Sequence, residues 1–320
     1  MRYSSIPNTD LLTSSISLGT AILGSNLDEE KSFQLLDKFF ELGGNFLDTA
    51  HIYADWIPGE RGRSEKTIGR WIQERGLRDK IIIGTKGGHS IFTGKMILRL
   101  SREEIKQDLN ESLEYLQTNY IDLYWLHRDD PDRAVGDILE TLNELVETKK
   151  IRYFGCSNWK VHRIREAMEY AYKHGLKCFA ANQIMWSLAA ANINAIEDKT
   201  MVVMDQECMA LHKETGLAAV PYSSQAQGFF TKMNNLDKGS LDQNTKRLYD
   251  NEKNTCTFKK LKQLELDLGV NVTDIALSYL ISQSFVTIPI VGCRTIDQLT
   301  ESLKAADLVL KPEIVNYLSE

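Results

Sequence analysis

The chain has 320 residues and a formal net charge of −6 at pH 7. This mild acidity, without a run of like charge, gives no electrostatic basis for binding nucleic acid or a membrane surface. The five cysteines form no CxxC pair, which favours a reducing compartment and predicts neither a disulfide framework nor a metal site. The first ten residues lack the apolar segment of a secretion signal, so we expect a cytoplasmic protein.

Short apolar runs alternate with segments of helical period along the whole sequence. Such alternation predicts parallel strands joined by helices, and eight repeats without a linker predict one (β/α)8 (TIM) barrel over residues 1–320. Glycines that follow several helical segments are expected C-caps, and Ser64 and Thr295 are expected N-caps. The predicted strands are Ile16–Leu18, Asn45–Leu47, Ile81–Gly84, Ile121–Leu126, Ile151–Gly155, Cys178–Ala181, Leu217–Val220 and Phe285–Ile290.

Two segments lie outside the repeat. Residues 3–15 precede the first barrel strand, and we expect a hairpin that plugs the bottom of the barrel. Residues 222–271 follow the seventh strand as a long polar insertion that contains a predicted helix over Thr257–Leu268. Long insertions at the carboxyl end of a barrel strand are usually functional. We expect residues 222–254 to close over a bound cofactor, the alternative being a rigid excursion with its own packing.

Four residues just past successive predicted strands carry groups that can protonate a carbonyl oxygen: Asp48, Tyr53, Lys86 and His127. Tyr53 supplies the proton, and a nearby lysine cation is expected to lower the pKa of its hydroxyl from the usual value near ~10. Lys86 ends an apolar strand, where a charge needs a partner, and Asp48 can be that partner. His127 can orient the oxygen. A lone tyrosine or histidine here would more often be structural, so the prediction depends on all four together.

The motifs around these residues identify the chain as similar to the aldo-keto reductase family, over essentially its whole length. The resemblance implies that Asp48, Tyr53, Lys86 and His127 are the catalytic tetrad of an NADPH-dependent reductase of aldehydes or ketones. It is carried by Asp48-Thr-Ala-x-x-Tyr53, Gly62-x-Ser-Glu-x-x-x-Gly69, Thr85-Lys86, Asp122-Leu-x-x-x-His127, Gly155-x-Ser157-Asn158, Asn182-Gln183 and Ile288-Pro-Ile-Val-Gly292 with Gln298.

The same resemblance assigns residues to the cofactor. Ser157, Asn158 and Gln183 are expected to hold the nicotinamide carboxamide, and Tyr222 to stack on the nicotinamide ring, with Ser223 and Gln225 beside it. No G-x-G-x-x-G motif is present, which argues against a Rossmann dehydrogenase.

The phosphate end of the cofactor is expected at the turn after the eighth strand. Gly292 and Arg294 precede a helix whose free N–H groups suit a phosphate, with Gln298 in its first turn. The forked cation of Arg294 suits a 2′-phosphate and favours NADP over NAD. The alternative for Arg294 is an ordinary surface charge.

The substrate pocket is expected to include Trp56, Arg128, Trp159 and Trp186, although some of these tryptophans could simply pack the loops. The polar stretch that begins at Arg128 suggests a hydroxylated or carbohydrate-like carbonyl compound. Two alternatives to a reductase stay open. One is an NADPH-binding redox sensor or regulatory subunit with little turnover, and the other is a lyase that uses Lys86 as a Schiff-base nucleophile. The remaining histidines, including His89, are assigned no role, and the sequence leaves the oligomeric state open.

Overall fold

A computed structural model describes residues 1–235 and 241–320. Most strands are short, with two or three residues each. The strands in chain order are β1 (Tyr3–Ser5), β2 (Leu12–Ser14), β3 (Ser17–Gly19), β4 (Phe46–Asp48), β5 (Ile82–Gly87), β6 (Ile91–Phe92), β7 (Met96–Ile97), β8 (Ile121–Leu126), β9 (Ile151–Ser157), β10 (Ala181–Gln183), β11 (Ala218–Ala219) and β12 (Ile290–Val291).

In the described part of the chain, eight parallel strands form a closed sheet in the order β11-β10-β9-β8-β5-β4-β3-β12. Ala219 of β11 bridges Thr287, just before β12, in parallel register. The backbone N–H of Ala219 donates to the carbonyl of Val286 at 2.9 Å, and Ile288 donates to the carbonyl of Ala219 at 2.9 Å. These bonds join the two outer strands, and the predicted (β/α)8 barrel is confirmed.

Helices connect the strands and cover the outside of the barrel. Four of them end on a glycine in the left-handed conformation, as predicted for Gly76, Gly175, Gly216 and Gly269. The helices are α1 (Glu29–Glu41), α2 (Arg63–Arg75), α3 (Arg102–Tyr115), α4 (Val135–Glu147), α5 (Val161–His174), α6 (Gln206–Thr215), α7 (Phe229–Asn235), α8 (Gln243–Tyr249), α9 (Glu252–Leu268), α10 (Val272–Ile281), α11 (Ile296–Lys304) and α12 (Pro312–Ser319).

The interior of the barrel is filled by side chains from several strands. Phe46, Leu123 and Trp125 form one buried cluster with Ile6 and Leu11 of the β1–β2 hairpin. Asp10, in the turn of that hairpin, pairs with Arg152 near the start of β9. The hairpin therefore closes the amino-terminal end of the barrel, as expected from residues 3–15.

Some local predictions are wrong. The sixth strand occupies Ala181–Gln183 and not Cys178–Ala181, and the eighth occupies Ile290–Val291 and not Phe285–Ile290. Ser64 is not the N-cap of α2, because it already lies inside the helix and its hydroxyl bonds across the barrel mouth. The N-cap residue is Gly62. Thr295 does cap α11, as predicted, by accepting from the N–H of Gln298.

The insertion after β11 contains α7, α8 and α9 in its described part. Phe229 and Phe230 of α7 are buried, and they contact Tyr249 and Phe258. These two phenylalanines therefore pack the insertion itself. Residues 236–240 of the predicted lid lie outside the described residues. Over residues 1–235 and 241–320, no helix has the length and apolar composition needed to cross a membrane.

Candidate active site

Asp48 and Lys86 form a buried ion pair at the carboxyl end of neighbouring strands. β4 and β5 pair in register, and this brings Lys86 Nζ to 2.6 Å from Asp48 Oδ2. The same ammonium donates to the carbonyl of Thr49 at 2.7 Å. Burial opposes the charge on Lys86, but Asp48 and Tyr53 together outweigh it, and the pKa of the lysine lies above its usual value. Lys86 is therefore a fixed cation.

The third hydrogen bond of Lys86 goes to Tyr53. Nζ donates to the Tyr53 hydroxyl oxygen at 3.2 Å. Burial raises the pKa of Tyr53 above its ordinary value of 10.0, and Lys86, which lowers it, does not compensate. The expected net lowering is therefore absent from the structure. Tyr53 is therefore protonated at neutral pH, which is the state that a proton donor requires, and the Lys86 cation beside it can stabilise a phenolate.

His127 stands beside Tyr53 at the end of β8. The two rings are 6.1 Å apart between centroids at an interplanar angle of 80°. Burial, reinforced by the Lys86 cation, lowers the pKa of His127 well below 6.5, so the ring is neutral. Its Nδ1 is buried with no hydrogen-bond partner among the described residues. Nε2 is thus the nitrogen left to donate to a carbonyl oxygen at the mouth of the barrel.

A second layer of contacts holds this group in place. Gln183 Nε2 donates to Asp48 Oδ1 at 2.8 Å, so both carboxylate oxygens of Asp48 are bonded. Behind Lys86, the hydroxyl of its neighbour Thr85 donates to Oε1 of the fully buried Glu65 at 2.5 Å. Both Gln183 and Glu65 belong to the motifs that carried the family resemblance.

The residues predicted to hold the nicotinamide carboxamide lie next to the tetrad. Asn158, in the left-handed conformation at φ 61°, donates from Nδ2 to the carbonyl of His127 at 3.3 Å and to Ser157 Oγ at 3.0 Å. Tyr222 donates from its hydroxyl to Asn158 Oδ1 at 2.6 Å. Its ring is half-buried. The structure therefore brings Ser157, Asn158, Gln183 and Tyr222 to one side of the catalytic group.

The residues predicted at the phosphate end of the cofactor are exposed. Gly292 has no atom within 4 Å of the point where a Cβ would stand, and the Arg294 side chain has no ion-pair partner in the part of the chain that is described. Ser223 is also exposed, whereas Gln225 Nε2 donates to Ser302 Oγ at 2.9 Å. An open glycine beside a free guanidinium at a helix start fits a phosphate-bearing cofactor.

The four predicted pocket residues have different placements. Trp56 is 57% exposed. Trp159 is fully buried against Phe179, and Trp186 packs on Phe285. Since neither of these two rings is open to a substrate, we do not retain Trp159 or Trp186 as substrate contacts.

Arg128 is braced by the protein. Its Nε donates to Thr200, its NH1 to the carbonyl of His127 at 2.8 Å, and its NH2 to Asp198 at 2.7 Å. Three of its five N–H groups are thereby used. Arg128 therefore joins the end of β8 to the loop at residues 198–200. It lies beside the pocket and stabilises this loop, and most of its N–H groups are not free to bind a substrate.

One residue without a predicted role lies beside this group. The His89 ring stands edge-on to the His127 ring, with centroids 4.7 Å apart and an interplanar angle of 75°. His89 follows Lys86 by three residues, just past the end of β5, and that spacing was the available signal. No three His, Cys, Asp or Glu side chains within residues 1–235 and 241–320 gather as a metal site would require.

Comparison with known proteins agrees with this geometry. The model of the aldo/keto reductase family matches residues 15–320. The chain belongs to the aldo/keto reductase family. It is thus an oxidoreductase of a family that uses a nicotinamide cofactor, and the resemblance seen in the motifs is confirmed.

Individual members of the family are similar at moderate identity. An uncharacterized oxidoreductase, YrpG, of Bacillus subtilis is 29% identical, with 100% of this chain and 95% of that protein covered. Norsolorinic acid reductase stcV of Emericella nidulans is 28% identical, covering 98% and 79%. An NADP(+) aryl-alcohol dehydrogenase of Phanerodontia chrysosporium is 28% identical, covering 98% and 84%.

Proposed function

We propose that this protein reduces an aldehyde or ketone to an alcohol with NADPH, and that Tyr53 is the general acid. The observation that carries the proposal is the chain of contacts from Asp48 through Lys86 to the Tyr53 hydroxyl, with Nζ at 2.6 Å and 3.2 Å from the two oxygens. A cation fixed on the far side of a neutral phenol stabilises the phenolate that forms when the proton is given up.

NADPH, when bound, supplies the hydride. Ser157, Asn158, Gln183 and Tyr222 would hold the nicotinamide end, and Gly292, Arg294 and Gln298 the phosphate end. The relative named for NADP(+) supports the choice of NADPH. Ser223 and Gln225 border the same side of the mouth.

The chain's own groups then act on the carbonyl oxygen. His127 Nε2 donates a hydrogen bond that orients and polarises it, and the Tyr53 hydroxyl transfers its proton to it. The three N–H groups of Lys86 stay hydrogen-bonded to Asp48, Thr49 and Tyr53 during this transfer. In the direction of alcohol oxidation the same proton returns to Tyr53.

The test is the oxidation of NADPH with a panel of aldehydes and keto-sugars, followed at 25 °C for wild type, Tyr53→Phe and Tyr172→Phe. An aryl aldehyde belongs in the panel because one relative is named for aryl alcohols. We expect Tyr53→Phe to lower kcat/KM by roughly 10²–10⁴-fold, whereas Tyr172→Phe changes a ring that is 90% exposed and keeps the wild-type rate. Turnover that survives in Tyr53→Phe contradicts the assignment of the acid.

The Schiff-base alternative is disfavoured by the same ion pair. A lysine nucleophile must be neutral, and Asp48 keeps Lys86 charged. Borohydride treatment with a carbonyl substrate and no cofactor checks this, since an adduct on Lys86 would support a lyase. The sensor alternative predicts NADPH binding without steady turnover on any carbonyl compound, and the same panel decides it.

A further inference from the structure

We infer that His89 is a substrate-positioning residue that accepts a hydrogen bond from a hydroxyl group on the carbon next to the carbonyl. The proposed reductase would then favour α-hydroxy carbonyl compounds over simple aldehydes and ketones. This inference depends on the proposed function and narrows its substrate class.

The first step is the position of the ring. His89 lies in the loop after β5, at the same end of the barrel as Tyr53 and His127. Its centroid is 4.7 Å from that of His127, the residue that orients the carbonyl oxygen. When His127 binds the carbonyl oxygen, a group on the adjacent carbon lies close to the residue that packs against His127. In this structure that residue is His89.

The second step is the hydrogen-bonding state of the ring. His89 Nδ1 lies 2.7 Å from the carbonyl oxygen of Ser90. A carbonyl oxygen only accepts, so Nδ1 carries the proton and donates it. Burial and the Arg128 cation lower the pKa of His89, which keeps the ring neutral at pH 7. Nε2 is consequently an unprotonated acceptor.

The third step is the availability of that acceptor. Nε2 is at the far end of the ring from the backbone, and no group of the described residues hydrogen-bonds it. It is also not among the buried polar atoms that lack a partner, so it reaches solvent. A half-buried, uncharged acceptor at the mouth of the site suits a hydroxyl donor.

The other polar side chains beside His127 are already hydrogen-bonded within the protein. Arg128 is committed to His127, Asp198 and Thr200, and a guanidinium cannot accept a hydrogen bond in any case. Asp198 is occupied in turn by Arg128 and by the hydroxyl of Thr200 at 2.5 Å. His89 therefore offers a free acceptor beside the oriented carbonyl.

The experiment compares three aldehydes of the same length: 2-hydroxypropanal, propanal and 3-hydroxypropanal. For wild type we expect kcat/KM with 2-hydroxypropanal to exceed that with the other two by roughly ten-fold, the effect of one hydrogen bond. His89→Leu removes the acceptor and should bring the ratio to about one. His89→Gln restores an acceptor oxygen and should recover most of the preference. His162→Leu, on the exposed face of α5, is the matched control and should keep the wild-type ratio.

Other outcomes would overturn the inference. A wild-type enzyme that reduces all three aldehydes equally has no α-hydroxyl preference, and this result does not require any variant to fold. An equal loss for all three substrates in His89→Leu, without recovery in His89→Gln, makes His89 a structural support for His127. In both cases the proposed reductase stands. If wild type oxidises NADPH with no carbonyl compound at all, the proposed function and this inference fail together.

Discussion

Gln183 donates a hydrogen bond from Nε2 to Oδ1 of Asp48 at 2.8 Å, although the two residues are 135 positions apart in the chain. The contact joins the end of β10 to the end of β4 across the mouth of the barrel. It occupies the carboxylate oxygen that Lys86 leaves free, so the buried carboxylate is bonded on both sides.

For Gln183→Ala we expect a loss of stability of about 1–3 kcal/mol, because a buried carboxylate oxygen loses its donor. We also expect kcat to fall roughly ten-fold as the Asp48–Lys86 pair loosens, a change of about 1.4 kcal/mol in the barrier. Urea unfolding and NADPH oxidation measure the two effects. Gln34→Ala, on the exposed face of α1, is the control. Unaltered stability in Gln183→Ala would mean that another group satisfies Asp48.

The buried ion pair predicts a rescue of stability without a rescue of activity. Lys86→Met leaves the Asp48 carboxylate buried and unpaired, so we expect a loss of about 3–5 kcal/mol in the free energy of unfolding. Adding Asp48→Asn removes the orphan charge and should recover most of that loss, while turnover stays near zero because Tyr53 has no cation beside it. A double variant no more stable than Lys86→Met would contradict this account.

Glu65 predicts a dependence of stability on pH. Burial raises the pKa of its carboxyl from 4.5 to about 7 in the folded protein. At a pH between these two pKa values the unfolded chain has lost a proton that the folded protein keeps. The free energy of unfolding therefore falls as the pH rises through this window, and above the window it stays at the lower value. Glu65→Gln does not ionise, and it should therefore be more stable than wild type at pH 8, by up to about 3 kcal/mol, and near wild type at pH 4.5.

The measurement for Glu65 is thermal or urea unfolding of both proteins at pH 4.5, 6 and 8. Glu144→Gln serves as the control, because this carboxyl lies on the outer helices, where Lys106 lowers its pKa and the sign is opposite. A difference between Glu65→Gln and wild type that is the same at all three pH values would show that Glu65 keeps an ordinary pKa.

Arg294 predicts discrimination between the two nicotinamide cofactors. Its exposed guanidinium can bond the 2′-phosphate of NADPH, a group that NADH lacks. Arg294→Ala should weaken NADPH binding roughly 10- to 100-fold, as expected for a charged hydrogen bond, and leave NADH binding nearly unchanged. Fluorescence titration with both cofactors measures this, with Arg165→Ala as a remote control. Equal weakening for NADPH and NADH would mean that Arg294 does not contact the phosphate.

The insertion after β11 is still predicted to close over the cofactor. Hydrogen exchange on residues 223–250 with and without NADPH tests it, and we expect slower exchange in the complex. The buried contacts of Phe229 and Phe230 within the insertion favour the rigid alternative for α7, so the change should concentrate outside that helix. Identical exchange in both states would remove the lid role and leave Tyr222 as a stacking residue.

Much of the site could be predicted because it follows from strand ends. Asp48, Lys86 and His127 each follow or end an apolar run, and the carboxyl ends of parallel strands meet at one face of a barrel. The local sequence pattern is therefore sufficient to predict that these three side chains lie at the same end of the barrel. The strand boundaries were less accurate where the sheet is short, as at Ala181–Gln183.

The remainder depends on distances that no local pattern contains. Whether Tyr53 is made more or less acidic is decided by the balance of burial against one cation at 3.2 Å. Trp159 and Trp186 follow strands as a rim residue would, but their rings turn inward onto Phe179 and Phe285. A role for His89 cannot be predicted from its local sequence, because His127, which it contacts, is distant in the chain.

The closure of the sheet by β12 also has a consequence for the chain as it is synthesised. All four proposed catalytic residues precede residue 128, whereas β12, which pairs with β3 next to β4, contains Ile290 and Val291. The ribosome therefore releases the reactive half of the chain long before its sheet can be completed. Until then β3 is the open edge of the sheet, one strand away from Asp48, and the interior of the barrel is open to water on that side. We therefore expect a translation product that ends before β12 to contain the four proposed catalytic residues without the closed barrel around them.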